Sequence, residues 1–444
     1  MTALLSLTTL CLTLISTTDG ANGSVQDGIP TDLSLSAAEQ IFLVRGLDVL
    51  IAEAGERAAE GDLRTAGAHP NPNLGFTVFF GPTTQHDLLG GNLGDNKTNS
   101  TLGFSAGLSD NAAIEDILSG KHSLRIQAAS KALAAARIGI DDVKRLELAQ
   151  LREAYVTAVA AKLNAQSAED SFGSYDRQAK LSQIKFDSGA VSGLDVSRIV
   201  QAQLESMQAL DLARSGYQQS VASLLYLLGV RTSLPDIHLT TAIDYRPMQR
   251  LQGESLHSLY SAALQGRTDV RIAEQTLAQK EVVARQAKRA RVPDIQLQLG
   301  YSEQCNTGTC SSAPTFNAGL QSNLPIFYQQ QGEIQRTESD YTSAQKNLVK
   351  TQAQVMSDVS QAFAGHAASE KLVIRMESQL LAQAKKSRDL AQLLYSKGAA
   401  SQLDFLDAQR AFVAATLEYH QDLASYWTSV YQLEQATGLS LKGQ

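Results

Sequence analysis

Residues 186–198 read FDSGAVSGLDVSR, and residues 395–407 read YSKGAASQLDFLD. The two stretches start 209 positions apart (395 − 186) and share one pattern: an aromatic, Gly-Ala, a Ser, then Leu-Asp. Gly-Ala reads as a tight reversal, because Gly reaches backbone conformations closed to other residues. On either side the chain is unusually free of proline. All nine prolines fall at positions 30, 70, 72, 82, 235, 247, 293, 314 and 325, so residues 83–234 and 326–444 contain none. Proline breaks helix interiors, and Pro-free tracts of this length permit very long helices.

Periodicity agrees. Leu148, Leu151, Tyr155, Val159 and Leu163 recur three or four apart, as do Tyr217, Val221, Leu224 and Leu228. This is one narrow apolar stripe per helix. Runs such as KALAAARIG and VTAVAAKLNAQSA carry small residues that let helices approach closely. Gly229 and Gly438 follow the last apolar turns and read as helix C-caps. From about Ile114 to Phe186 the pattern predicts one helix on the order of 100 Å long.

Four segments have the other period. Leu74, Phe76, Val78 and Phe80 alternate with small residues or Phe79; Leu102, Phe104, Ala106 and Leu108 alternate with Gly and Ser. Ile295, Leu297, Leu299 and Tyr301 alternate with Gln and Gly; Phe316, Ala318 and Leu320 alternate with Asn, Gly and Gln. These are strands forming two hairpins, at 73–108 and 294–324, with one apolar and one polar face. Such alternation fits a soluble sheet. A transmembrane barrel strand also shows it, apolar toward lipid and polar toward the lumen. Four strands cannot close alone and an open edge cannot face lipid, so the membrane reading demands an oligomer. Three copies give twelve strands (3 × 4).

The repeat organises the whole chain. With Gly189 aligned on Gly398 and no gap, Ser192 meets Ser401, Leu194 meets Leu403, Asp195 meets Asp404 and Gly229 meets Gly438. Upstream, Pro72-Asn73-Leu74 corresponds to Pro293-Asp294-Ile295. The expected organisation is a first unit at 31–230 with its tip turn at 187–195, a linker at 231–254, and a second unit at 255–440 with its tip turn at 396–404. The expected fold is mainly α, with long helices and a membrane β portion.

Composition excludes other classes. A net charge of −7 with 19% charged residues does not suit a nucleic-acid partner. The seven histidines are scattered without metal-ligand spacing, and no Gly-rich phosphate loop ends in Lys-Ser/Thr. Neither a catalytic set, a metal site nor a cofactor is therefore expected. Residues 1–20 contain a short apolar run from about Ala3 to Ile15, too short to span a bilayer, that reads as a secretory signal with a weak basic start. Cys11 raises acylation, but Thr8 and Leu10 fit a lipidation signal poorly. Cys305 and Cys310 flank a short Gly-containing loop and read as a local disulfide; zinc would need two further ligands, and none is nearby. Arg285, Lys288, Arg289 and Arg291 cluster before the second hairpin, either as a solvated helix face or against lipid phosphates.

Taken in order, these features resemble the TolC-type outer-membrane factor family over about Leu33 to Leu439. The matching segments are His69-Pro-Asn-Pro-Asn-Leu74, Gly266-Arg-Thr-Asp-Val270, Arg291-Val-Pro-Asp-Ile295, Leu324-Pro-Ile-Phe327 with Gln331-Gly-Glu-Ile334, and the two tip motifs. Ser119-Gly-Lys-His-Ser-Leu-Arg125 is similar to the Gly-Lys-Arg segment of heavy-metal (cobalt–zinc–cadmium or copper) ducts. The resemblance implies a homotrimer with a twelve-stranded outer-membrane barrel and a periplasmic helical tunnel. It implies a passive exit duct for efflux, or for type I secretion on the same scaffold, and no enzyme activity. Implied partners are outer-membrane lipid, a periplasmic adaptor protein and an inner-membrane transporter of the resistance–nodulation–division (RND) type. Gly189, Ala190, Ser192, Leu194, Gly398, Ala399, Ser401 and Leu403 would dock the adaptor. Asp404, Asp407 and Tyr395, with Asp195 and Arg198 in the first copy, would form the periplasmic aperture. The acids are alternatively helix caps, and Arg198 alternatively a solvated cation. The family's gating Arg, where present, falls at Ala400 here, so an Asp–Arg latch is in doubt. The reading from another class is a secreted coiled-coil structural protein with two small β modules.

Overall fold

Glycine, rather than proline, decides where the long helices stop. The computed structural model describes residues 29–83, 99–230, 236–248, 255–306 and 314–440. The expected signal segment, Cys11, Cys310 and both ends of the 231–254 linker lie outside the described residues. The first part runs β1 (Asp32–Leu33), α1 (Leu35–Arg45), α2 (Leu47–Gly67), β2 (Asn73–Thr83), β3 (Asn99–Ser109), α3 (Ala113–Leu118), α4 (Lys121–Asp187) and α5 (Gly193–Leu227). The second runs β4 (His238–Leu239), α6 (Leu256–Gly266), α7 (Thr268–Arg289), β5 (Ile295–Asn306), β6 (Thr315–Ser322), α8 (Gln331–Arg375), α9 (Ala382–Ser396) and α10 (Gln402–Thr437). A π turn, Met376–Leu381, joins α8 to α9.

The helix expected from Ile114 to Phe186 is divided. Gly120 takes φ +76° and separates α3 from the 67-residue α4. Asn111 and Ala112 are also left-handed, at φ 52° and 62°. An L residue there costs roughly 1–2 kcal/mol. Asp110 offsets this, its carboxylate accepting from the N–H groups of Ala112 (3.2 Å) and Leu297 (2.8 Å). Strand and helix thus meet at a defined corner.

The four long strands form one antiparallel sheet in the order β2-β3-β5-β6. The helices beside them follow the same order, α2 on α4, α4 on α7 and α7 on α8. Each strand is continued by its own helix: β2 follows α2, β3 leads through α3 into α4, β5 follows α7 and β6 leads into α8. The result is a wall four elements wide, passing from sheet to helices without a change of order. Its edges are β2 with α2, and β6 with α8.

The main core lies where the linker crosses this wall. β1 and β4 pair in parallel, and Leu33, Phe42, Leu151, Tyr155, Leu224, Leu228 and Leu239 pack there. Fully burying a side chain of this size contributes about 1.5–3 kcal/mol. The Tyr155 hydroxyl donates to the Leu33 carbonyl (2.8 Å) and accepts from the Thr241 N–H (3.2 Å), so this buried phenol is satisfied. Arg267, from the Gly266-Arg-Thr-Asp-Val270 segment, is buried and ties the α6–α7 junction to Asp358 (3.0 Å) and to the Ala436 carbonyl (3.2 Å). Away from this girdle the wall is thin. α9 contains no buried residue.

Candidate functional site

The two tips use one device twice. At the end of α4 the N–H of Gly189 donates to the Phe186 carbonyl and that of Ala190 to the Lys185 carbonyl, both at 2.8 Å. At the end of α9 Gly398 donates to Tyr395 (3.1 Å) and Ala399 to Leu394 (2.8 Å). This is a Schellman stop, which needs a left-handed residue; Gly189 and Gly398 have φ +77° and +75°. The next helix then begins with a capping box. Ser192 Oγ accepts from the Asp195 N–H, while the Asp195 carboxylate accepts from Ser192; Ser401 and Asp404 do the same. The turns span 188–192 and 397–401, within the wider 187–195 and 396–404 read from the sequence.

The structure brings the two tips together. Gln402 Nε2 donates to the Asp195 carbonyl at 2.8 Å. The Lys185 ammonium lies 4.9 Å from the centre of the Tyr395 ring, which stacks on Phe405 (centroids 5.5 Å, planes 17° apart). Tyr175, Ala179, Ile199, Ala202, Phe405 and Leu406 close a small core just above. Burial pushes the Tyr395 phenol up, with the Asp195 carboxylate adding to the effect. Hydrogen bonds from the Ser401 hydroxyl and N–H hold the Asp404 carboxyl below the usual aspartate range. Asp407 and Arg198 are exposed, and neither makes an ion pair or hydrogen bond among the described residues. Of the docking candidates, Gly189, Ala190, Ser192, Leu194, Gly398, Ala399, Ser401 and Leu403 are all exposed. Leu194 and Leu403, 59% and 49% exposed, present apolar surface at the end of the molecule.

The sequence reading did not foresee Lys185 or Gln402. Gln402 occupies the place of Gly193 in the gap-free alignment, a difference visible in the sequence. What it does there depends on the approach of α5 to α10.

At the opposite end the sheet separates its faces by register. Leu74 faces Leu108, Phe76 faces Ala106 and Val78 faces Phe104. Leu108 then faces Leu299, Ala106 faces Tyr301, and Leu297 faces Leu320. Leu74, Phe76, Phe80, Phe316 and Leu320 are each 70% or more exposed. This apolar surface is spread over four strands and, among the described residues, is covered only in part, where α3 approaches β5. On the polar face Phe79 lies over Gly103, where a Cβ would come within 2.0 Å of the ring. Asn317 covers Gly300 in the same way, and Gln298 bonds Gln321. Cys305 is disulfide-bonded.

Between sheet and helices, Lys121 Nζ bonds the Val292 carbonyl (2.7 Å) and Asp294 (2.6 Å). Arg125 reaches the Ala66 carbonyl (2.9 Å) and Asp116 (2.8 Å), and His122 stacks on His69 at 4.7 Å. The cations of Gly120-Lys-His-Ser-Leu-Arg125 therefore pin the corner. Among the described residues there is no group of acidic, His and Cys side chains arranged to hold a metal ion.

A family model described as outer membrane efflux protein matches residues 40–230 and 259–439. The pyoverdine export outer membrane protein OpmQ of Pseudomonas aeruginosa is 24% identical over 393 residues, spanning 86% of this chain and 80% of that protein. The probable efflux pump outer membrane protein TtgC of Pseudomonas putida is 28% identical over 309 residues, 66% of this chain and 60% of that protein. Among solved structures, the Campylobacter jejuni CmeC outer membrane channel superposes with a TM-score of 0.77 at 16% identity, over 91% of this chain and 85% of that one. VceC of Vibrio cholerae gives 0.70 at 18% identity, over 92% and 97%. At these identities the structural likeness is one of fold.

Proposed function

Because the chain belongs to the outer membrane efflux protein family, we propose that it is the outer-membrane exit duct of a tripartite efflux system, working as a homotrimer. The observation that carries this is the sheet: four strands with an exposed apolar face, open at both edges, and continued strand by strand into long helices. Neither free edge is tolerable in lipid. Three copies joined edge to edge, β2 of one to β6 of the next, leave no edge and make a twelve-stranded barrel (3 × 4). The polar face then lines the lumen, and the helical wall continues the same ring into the periplasm.

In this reading 31–230 and 255–440 are duplicated units, with 231–254 a girdle between them. Six tip turns (3 × 2) surround the periplasmic aperture. Asp404 and Asp407 form its acidic rings, with Tyr395, Asp195 and Arg198 beside them. The exposed turn residues of both tips dock a periplasmic adaptor, which connects the duct to an inner-membrane transporter of the RND type. Solutes pass through passively, and that transporter supplies the energy. The cargo is small solutes. The segment that resembles heavy-metal ducts spends its cations on carbonyls and carboxylates of the corner, so it does not favour a metal cargo. Sequence relatives named for efflux and export favour efflux over type I protein secretion.

The test is direct. Purified in detergent, the protein is expected to run as a trimer and to form cation-preferring channels in planar bilayers. A monodisperse, water-soluble monomer overturns the reading.

A further inference from the structure

Four cations at the end of α7 have no task in the duct as described. Arg285, Lys288, Arg289 and Arg291 are all exposed. A helix C-terminus favours positive charge, which accounts for one or two of them. Lys288 pairs with Glu338 at 2.9 Å. Arg285, Arg289 and Arg291 make no ion pair among the described residues. Of the carboxylates nearby, Asp294 pairs with Lys121 and Asp116 with Arg125; Asp110 accepts from two backbone N–H groups through one oxygen, its other oxygen being buried without a partner, and Glu281, exposed one turn before Arg285, makes no ion pair among the described residues. A chain of net charge −7 thus carries a local cluster of cations, three of them outside any ion pair among the described residues.

The patch borders two adjoining clefts. One, of about 490 Å³, is lined by Gly120, Ser123, Leu124, Arg285, Lys288 and Arg289. The other, of about 460 Å³, is lined chiefly by Ile114, Leu118, Val292, Ile295, Leu297 and Leu320, with Asp110 at its wall. Their linings run close together in the chain along both walls. Ser119 lines the apolar cleft and Gly120 the basic one, while Arg289 and Val292 are three residues apart. Ile295, Leu297 and Leu320 belong to the apolar face of the sheet, so the second cleft opens onto that face. Leu118, 81% exposed on α3, overhangs it.

We propose that this double cleft binds an anionic phospholipid of the leaflet nearest the helices, with its phosphate on Arg285, Arg289 and Arg291 and an acyl chain in the apolar cleft. The proposal rests on the reading that the sheet sits in a bilayer. Two complementary surfaces in register with one amphiphile argue for it: excess positive charge at headgroup level, and an apolar slot directly on the membrane side. A zwitterionic lipid offers the same phosphate but brings an ammonium toward the arginines, and is bound less well. The lipid would fill the corner between barrel and tunnel, where the wall changes from strands to helices.

Full-length protein is reconstituted in phosphatidylcholine nanodiscs containing a minor fraction of phosphatidylglycerol, released, and weighed with its retained lipids by native mass spectrometry. The wild type is expected to retain phosphatidylglycerol about tenfold over its share of the bilayer, the weight of one to two surface cations. The R285Q/R289Q/R291Q variant is expected to fall to parity. Arg289→Gln alone, expected to lose part of the preference, serves if the triple variant does not assemble. Retention that is unselective in the wild type, or unchanged in both variants, overturns the proposal. So does displacement of the lipid by inorganic phosphate, which would mark a simple anion site. Failure to enter nanodiscs at all overturns the duct reading instead, and the lipid site with it.

Discussion

Asp404 accepts two hydrogen bonds from Ser401, whereas Asp407, one turn on, makes none among the described residues. Their roles at the tip therefore separate. The Ser401 hydroxyl and N–H lower the Asp404 pKa. A carboxylate with a depressed folded pKa contributes stability that is present above its unfolded value, near 3.8, and lost as pH falls through the folded one. Near neutrality Asp404 is ionised and capping, so a pore response between pH 5 and 8 originates elsewhere. Asp407 is free to act on ions. Asp407→Asn is expected to reduce cation preference and to raise conductance of the closed channel with little change in Tm. Asp404→Ala, in contrast, is expected to fray the start of α10. Bilayer conductance and thermal melts of both variants check this, and unchanged conductance in Asp407→Asn removes that residue from the aperture. The stop-and-cap device was legible because its residues are local: Gly-Ala for the Schellman turn, Ser and Asp three apart for the box. The bond from Gln402 to the Asp195 carbonyl was not, because it joins residues 207 apart in sequence.

At the scale of elements, the two periods in the sequence, 3.6 and 2, separated tunnel helices from strands because each element buries at most one side. Interruptions were harder to read. Gly120 is tolerable inside a helix, and only the corner built by Asp110, Lys121 and Arg125 makes it a break. The π turn at Met376–Leu381 contains neither Gly nor Pro to announce it. The seam between α8 and α10 carries its own prediction. His366 is buried, its Nδ1 3.3 Å from Ser429 Oγ and its ring 5.5 Å from that of Tyr426. Burial pushes its pKa down, partly opposed by Glu370; burial does the same to His420, which faces Asn164. For a base held neutral, the unfolded chain takes the proton first. Stability is then full above the unfolded value of about 6.5 and declines as pH falls below it toward the folded value. Thermal melts from pH 7.5 to 5.5 should show it, with a flatter slope in His366→Gln combined with His420→Gln. An unchanged slope places the acid sensitivity elsewhere.

For the whole molecule, strands and helices keep the same lateral order, so one ring can run from barrel to tunnel. Alternation along single strands showed that each had two faces but left both a soluble sheet and a lipid-facing one open. Register decides which side chains share a face, and it gathers the exposed Leu74, Phe76, Phe80, Phe316 and Leu320 on one side of the sheet of this outer-membrane channel. Two adjacent residues then test the orientation. Val78 lies mid-strand on the apolar face opposite Phe104; Thr77 lies on the polar face opposite Ser105. Arginine on the lipid side near the bilayer midplane costs about 2–4 kcal/mol, incurred in each of the three subunits. On the lumen side it meets water. Val78→Arg is therefore expected to abolish the heat-modifiable trimer and to leave the protein out of the outer-membrane fraction. Thr77→Arg is expected to assemble normally and to weaken cation preference, since it adds three positive charges to the pore. The two variants differ by one position and carry the same side chain, so propensity and bulk cancel. Equal tolerance of both would mean that neither face meets lipid, and equal failure would mean that the lumen has no room for water. Only the opposite responses fit a barrel whose outer wall is the apolar face of the sheet.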